Sequence, residues 1–91
     1  MFYYVYVLEN IKDGELYIGF TNNLKRRLKE HNQGENFSTK NYGGWKLIYC
    51  EACLNSRDAQ RREKYFKTTQ GYRLLKRRLK EYFYDKNQEK F

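Results

Sequence analysis

The sequence predicts an α/β chain of the α+β type: a small three-stranded sheet, mixed or antiparallel, flanked by helices in the order β-β-α-β-α-α. Three observations predict it. Two short stretches with period-two alternation, residues 3–9 and 15–20, bracket an Asp13-Gly14 turn signal. Downstream, apolar residues recur at helical spacing after each polar break. Finally, 91 residues suffice for one modest core and are too few for two.

In the first strand, Tyr4, Tyr6 and Leu8 share one face and Tyr3, Val5 and Val7 the other. The loop to the second strand sets how Tyr6 meets Tyr17. A two-residue loop at Asp13-Gly14 would leave them about 13 Å apart along the strand. A four-residue loop, Ile11 to Gly14, would bring them to a diagonal of about 7–8 Å, and this register is the expected one. Asn22 or Thr21 should cap a helix that runs to about His31 and stops at Asn32-Gln33-Gly34. Residues 35–44, rich in Asn, Ser, Thr and Gly, read as a loop. Residues 45–51 alternate again as a third strand. A second helix should start at Asn55, with Asp58 as a capping-box variant, and end near Thr68. A third should follow Gly71 at least to Lys80. This divides the chain into a domain over 1–80 and a helical extension or tail over 81–91.

Composition narrows the function. No apolar run approaches the roughly 20 residues needed to cross a bilayer. The opening MFYYVYVL lacks a basic flank and a small-residue cleavage site, so it reads as a strand and the expected location is cytoplasmic. The net charge is +8. It concentrates at Lys25-Arg26-Arg27 and between Arg73 and Lys80, two clusters expected to border one site and to favour a polyanion such as nucleic acid. Cys50 and Cys53 spell CxxC, but two cysteines and one distant histidine cannot complete a structural zinc site, and both read as reduced.

Five side chains carry potential chemistry. Arg27 lies with Leu24, Leu28 and His31 at i, i+3, i+4 and i+7, so a guanidinium shares an edge with two core anchors. It could clamp a phosphate or simply snorkel over apolar surface. His31, the sole histidine, could act as a base, orient a tyrosine or cap the helix end. Glu63 shares a helix face with Ala59, Arg62 and Phe66, so its carboxylate must either hold a metal or pair with Arg62, Arg27 or a lysine. Tyr6 and Tyr17 matter as a same-face pair, since a phenol beside a cation gives up its proton more readily.

These residues resemble, in order and spacing, the GIY-YIG endonucleases, especially their small single-domain members. Tyr4-Val5-Tyr6 stands for the first motif, with Tyr4 and Val5 where Gly and Ile are typical, and Tyr17-Ile18-Gly19 is the second. Thr21 through His31 follows as the helix with Arg and then His. Gly44 to Tyr49 resembles the third strand, and Arg62-Glu63-Lys64 with Lys67 the metal-binding helix. Thr68, Thr69 and Gln70 are candidates for a final polar residue. The resemblance implies hydrolysis of DNA phosphodiester bonds with one Mg²⁺ or Mn²⁺, selective for structure more than sequence. It implies that Glu63 holds the metal and Arg27 stabilises the transition state. Tyr17 would take the proton of the attacking water, Tyr6 would orient water or phosphate, and His31 would assist the pair or bind phosphate. Lys25, Arg26, Lys67, Arg73, Arg77 and Arg78 would contact the nucleic acid, whether single-stranded, branched or duplex. Other DNA-processing proteins fit as partners; a membrane does not. The bland alternative is a binding module that keeps the fold without catalysis.

Overall fold

The computed structural model describes residues 1–33 and 44–88, so the loop expected over 35–44 lies outside them except for Gly44. Strands β1 (Tyr3–Asn10), β2 (Leu16–Thr21) and β3 (Trp45–Cys53) form one sheet in the order β2-β1-β3. Both pairings are antiparallel, which settles the choice between a mixed and an antiparallel sheet. β1 is central because both of its faces are apolar, and every residue from Val5 to Asn10 is buried.

Helix α1 (Leu24–Asn32) covers the face of Tyr6, Leu8 and Trp45 with Leu24 and Leu28. Helices α2 (Ser56–Phe66) and α3 (Thr69–Arg78) cover the face of Val5, Val7 and Ile18 with Ala59, Phe66, Leu75 and Leu79. The β1–β2 register pairs Tyr6 with Gly19 and Leu8 with Tyr17, as a four-residue loop requires. In β3 the pairing shifts between Val7 and Leu8, so that Val7 faces Tyr49 but Leu8 faces Leu47. That irregularity at Ile48 interrupts the expected alternation. It sends Leu47 to the α1 side and Tyr49 to the α2 side.

Several boundaries differ from expectation for local reasons. Asn23, not Asn22 or Thr21, caps α1, its side chain accepting from the Arg26 N–H at 3.1 Å. Thr21 instead accepts from the Asn23 N–H at 3.1 Å and sets the turn before the cap. Asn55 caps α2 as expected, but Asp58 turns outward to Arg61 at 2.8 Å and does not close a capping box. Helix α3 starts two residues before Gly71, because the Thr68 hydroxyl accepts from the Gly71 N–H at 3.0 Å. Gly71 is a packing residue and not a break. A Cβ there would sit 1.8 Å from the Tyr65 carbonyl oxygen, so only glycine lets α3 turn back against α2.

Residues beyond 80 form a fourth helix, α4 (Lys80–Gln88). Its Phe83 packs on the α2–α3 core, while Tyr82 and Lys86 donate to Glu9, a carboxylate only 3% exposed at the end of β1. Burial would raise the Glu9 carboxyl, but these hydrogen bonds outweigh it and hold it below its ordinary range. No described helix is long and apolar enough to cross a membrane.

Candidate active site

Where β2, α1 and α2 meet, the surface opens into a cleft of about 450 Å³ lined by Tyr6, Tyr17, Gly19, Phe20, Arg27, Gln60, Glu63 and Lys64. Four of the five residues singled out from the sequence therefore face one space. The register brings the Tyr6 and Tyr17 rings to 6.2 Å between centroids. Gly19 sits directly opposite Tyr6, and a Cβ there would come within 2.4 Å of the phenol end of its ring. The Tyr6 ring thus lies across the strand over a residue without a side chain.

The fifth residue, His31, lies behind this pair and is 1% exposed. Its Nε2 is 2.8 Å from the Tyr6 hydroxyl, and its ring meets Tyr17 edge-on at 4.7 Å. Of the roles open to it, burial removes phosphate binding, and the geometry makes it a partner of both tyrosines. Burial first, and then the Arg27 guanidinium, push its pKa below the ordinary 6.5, so the ring is neutral at pH 7. Burial likewise raises the Tyr6 phenol, helped by the charge of Tyr17 and its hydrogen bond; Arg27 opposes but does not prevail. An easily ionised phenol beside a cation is therefore not what Tyr6 provides. It stays protonated.

Arg27 reaches the cleft half-buried, with Nη1 3.3 Å from Glu30. Arg26 leans on the same carboxylate at 3.7 Å, and Lys25 is exposed on the outer side of α1. Glu63 pairs with Lys67 at 3.1 Å one turn along α2, not with Arg62 or Arg27. Arg62 turns the other way, to Glu51 of β3 at 2.9 Å. The described residues hold no group of three or more His, Cys, Asp or Glu that could cage a metal, so Glu63 offers the cleft a single carboxylate. Cys50 and Cys53 are free thiols on β3, away from the cleft.

The α3 cations do not border this space, contrary to expectation. Arg73 and Arg77 are exposed on α3, and the Arg78 Nε donates to the Tyr49 hydroxyl at 2.8 Å on the sheet edge opposite β2. The reason is tertiary: α2 takes the position over β1 and β2, leaving α3 the far side.

Residues 2–75 match the GIY-YIG catalytic domain. The chain belongs to the GIY-YIG family. A UPF0213 protein of Clostridium perfringens is 49% identical over 65 residues, covering 70% of this chain and 69% of its own length. A UPF0213 protein of Bacillus licheniformis is 38% identical over 88 residues, covering 96% of this chain and 84% of its own. The solution NMR structure of a UPF0213 protein from Bacillus halodurans matches with a TM-score of 0.50 and 32% identity, covering 82% of each chain. The GIY-YIG match places the chain in a family of nucleases, and nucleic acid is the substrate class that this implies.

In and around the cleft, three further residues take part that the sequence did not single out. Glu30 holds both Arg26 and Arg27, and its i+3 and i+4 spacing from them was visible in the sequence. Gln60 lies one turn before Glu63 on the same α2 face, a signal at helical spacing. Asn32 gave no such signal. Its amide accepts from the Trp45 N–H at 2.8 Å and donates to the Trp45 carbonyl at 3.2 Å, fastening the end of α1 to the start of β3.

Proposed function

We propose that this chain is a divalent-metal-dependent endonuclease that hydrolyses phosphodiester bonds in DNA and selects for structure more than for sequence. The observation that carries the reading is the convergence of Tyr6, Tyr17, Arg27 and Glu63 on one cleft, backed by His31. A lone carboxylate suits Mg²⁺ or Mn²⁺, which keep several waters and share a site with substrate phosphate. Glu63 is the residue that would hold the ion. Bound there, it would supply charge neutralisation at the scissile phosphate and an acidified water.

The chain's own residues do the rest. Arg27 reaches across the cleft to the phosphate and stabilises the negative charge that develops on it. Tyr17 takes the proton of the attacking water and passes its own to the Tyr6 oxygen. The relay uses the tautomer with the proton on Nδ1, in which Tyr6 donates to His31 Nε2 across their 2.8 Å contact. Both groups are neutral at rest, so the phenol has a proton to give and the imidazole a nitrogen to take it, while burial and Arg27 oppose the imidazolium and favour its quick return of that proton. Lys25 and Arg26 lie on the outer side of α1, where they contact flanking phosphates. Lys67 positions the Glu63 carboxylate.

A second reading rests on the Glu63–Lys67 and Arg27–Glu30 pairs, which satisfy each charge without metal or substrate. It makes the chain a binding module. One experiment separates them: labelled single-stranded, duplex and branched DNA with Mg²⁺, Mn²⁺ or EDTA, using wild type and Glu63→Ala. Metal-dependent cleavage that disappears in the variant while binding persists supports the enzyme. Binding without cleavage, alike in both proteins, overturns it.

A further inference from the structure

Five cations around the cleft and along α2 are held by carboxylates: Arg26 and Arg27 by Glu30, Arg61 by Asp58, Arg62 by Glu51 and Lys67 by Glu63; Arg57 and Lys64 make no such pair among the described residues. On α3 the pattern reverses. From Thr68 to Lys80 the sequence contains no acidic residue. Among the described residues, Arg73, Arg77 and Lys80 make no ion pair, and all three are exposed. Arg73 and Arg77 stand at i and i+4 on α3, opposite the buried Gly71 and Leu75, and Lys80 opens α4 just past the α3 cap at Leu79. Like charges at this spacing repel and destabilise a helix unless something else compensates.

The position of this stripe matters as much as its charge. Glu63 faces the cleft at β2, whereas Arg62 on the same helix faces Glu51 on β3. Arg78 reaches Tyr49, also on β3. Helix α2 therefore stands between the cleft and α3. Arg77 and Lys80 also lie beyond residue 75, where the match to the catalytic domain ends.

We infer that the outer face of α3 is a second nucleic-acid surface, which holds the phosphate backbone of a duplex arm other than the one in the cleft. The substrate class that fits both surfaces is a branched DNA with two arms diverging from one point. The inference rests on the proposed reading for the first arm only. An anionic membrane fits the stripe less well, because the apolar side of α3 is already buried in the core and leaves nothing to insert.

The test uses the full chain and the variant Arg73→Gln/Arg77→Gln/Lys80→Gln, whose changes are all exposed. Binding to a four-way junction and to a linear duplex of equal total length is read by anisotropy in EDTA, between about 50 and 200 mM salt. Wild type should prefer the junction. The variant should lose that preference, and its salt slope on the junction should fall by about 2.7, so that wild type loses roughly 40-fold more affinity over that range. An equal loss on both DNAs would make α3 part of the same contact as the cleft and overturn the inference. So would equal binding of the two proteins, or no preference in wild type. Binding of wild type, but not the variant, to phosphatidylserine vesicles with no effect on DNA would assign the stripe to membranes instead. Because no cleavage is read, failure here leaves the nuclease reading standing, and an inactive cleft leaves this result standing.

Discussion

At the scale of single residues, the site is organised around a buried neutral pair, Tyr6 and His31. Acid should expose this. Because burial depresses the His31 pKa, the unfolded chain binds a proton below pH 6.5 that the folded chain refuses. The stability contributed by neutral His31 is thus complete above 6.5 and is lost as pH falls through the folded value. Urea midpoints measured between pH 7.5 and 5.5 should decline in wild type and run flatter in His31→Gln; parallel curves would remove His31 as the cause. Gly19 makes a second prediction. In Gly19→Ala the new methyl meets the Tyr6 ring at 2.4 Å, and the ring is braced from behind by His31. Such overpacking should cost about 1–3 kcal/mol in thermal or urea unfolding. On the proposed nuclease reading it should also lower the cleavage rate more than DNA affinity, because Tyr6 moves and the cleft cations do not.

At the scale of elements, the α2–α3 junction combines a cap with a close crossing. Thr68→Ala removes the hydroxyl that accepts from Gly71, at a cost of about 1 kcal/mol. Gly71→Ala should cost more, roughly 3 kcal/mol, because the clashing atom is a backbone oxygen that cannot rotate away. Denaturation of the two variants ranks them, and an equal or reversed ranking would mean that α3 shifts freely on α2. The Glu51–Arg62 pair acts at the same scale. The bidentate fork, at 2.9 and 3.2 Å, ties α2 to β3 and so sets the rotation at which the next residue, Glu63, meets the cleft.

At the scale of the whole molecule, the ends of the chain are joined by charge. Lys86 and Tyr82 on α4 converge on Glu9 in β1, across 77 and 73 residues of sequence. Lys86→Met should leave the buried carboxylate with Tyr82 as its remaining side-chain donor among these two. The expected loss is about 1–3 kcal/mol, below that of a fully buried pair because Lys86 is partly exposed. The Glu9 pKa is depressed, so this contribution is present above its ordinary 4.5 and fades below it. The variant's deficit should therefore shrink on acidification toward pH 3, as followed by circular dichroism.

Much of this architecture was legible because local signals and burial agreed. Alternation with both faces apolar made β1 a strand, and an even loop length placed Tyr6 and Tyr17 on one side. Helical spacing put Arg27 with Leu24 and Leu28, and Glu63 beside Ala59 and Phe66. The sequence by itself thus determined the elements, their faces and the types of group available to the cleft. It did not determine which groups would meet across them. Only the tertiary structure decided that His31 binds Tyr6, that Arg62 pairs with Glu51 and not its neighbour, and that α3 lies behind α2. The physical reason is that periodicity records which way a side chain points within its own element. Contacts between elements depend on strand order, on the shift at Ile48 and on a crossing that Gly71 permits, and each of these is settled by packing of the whole chain.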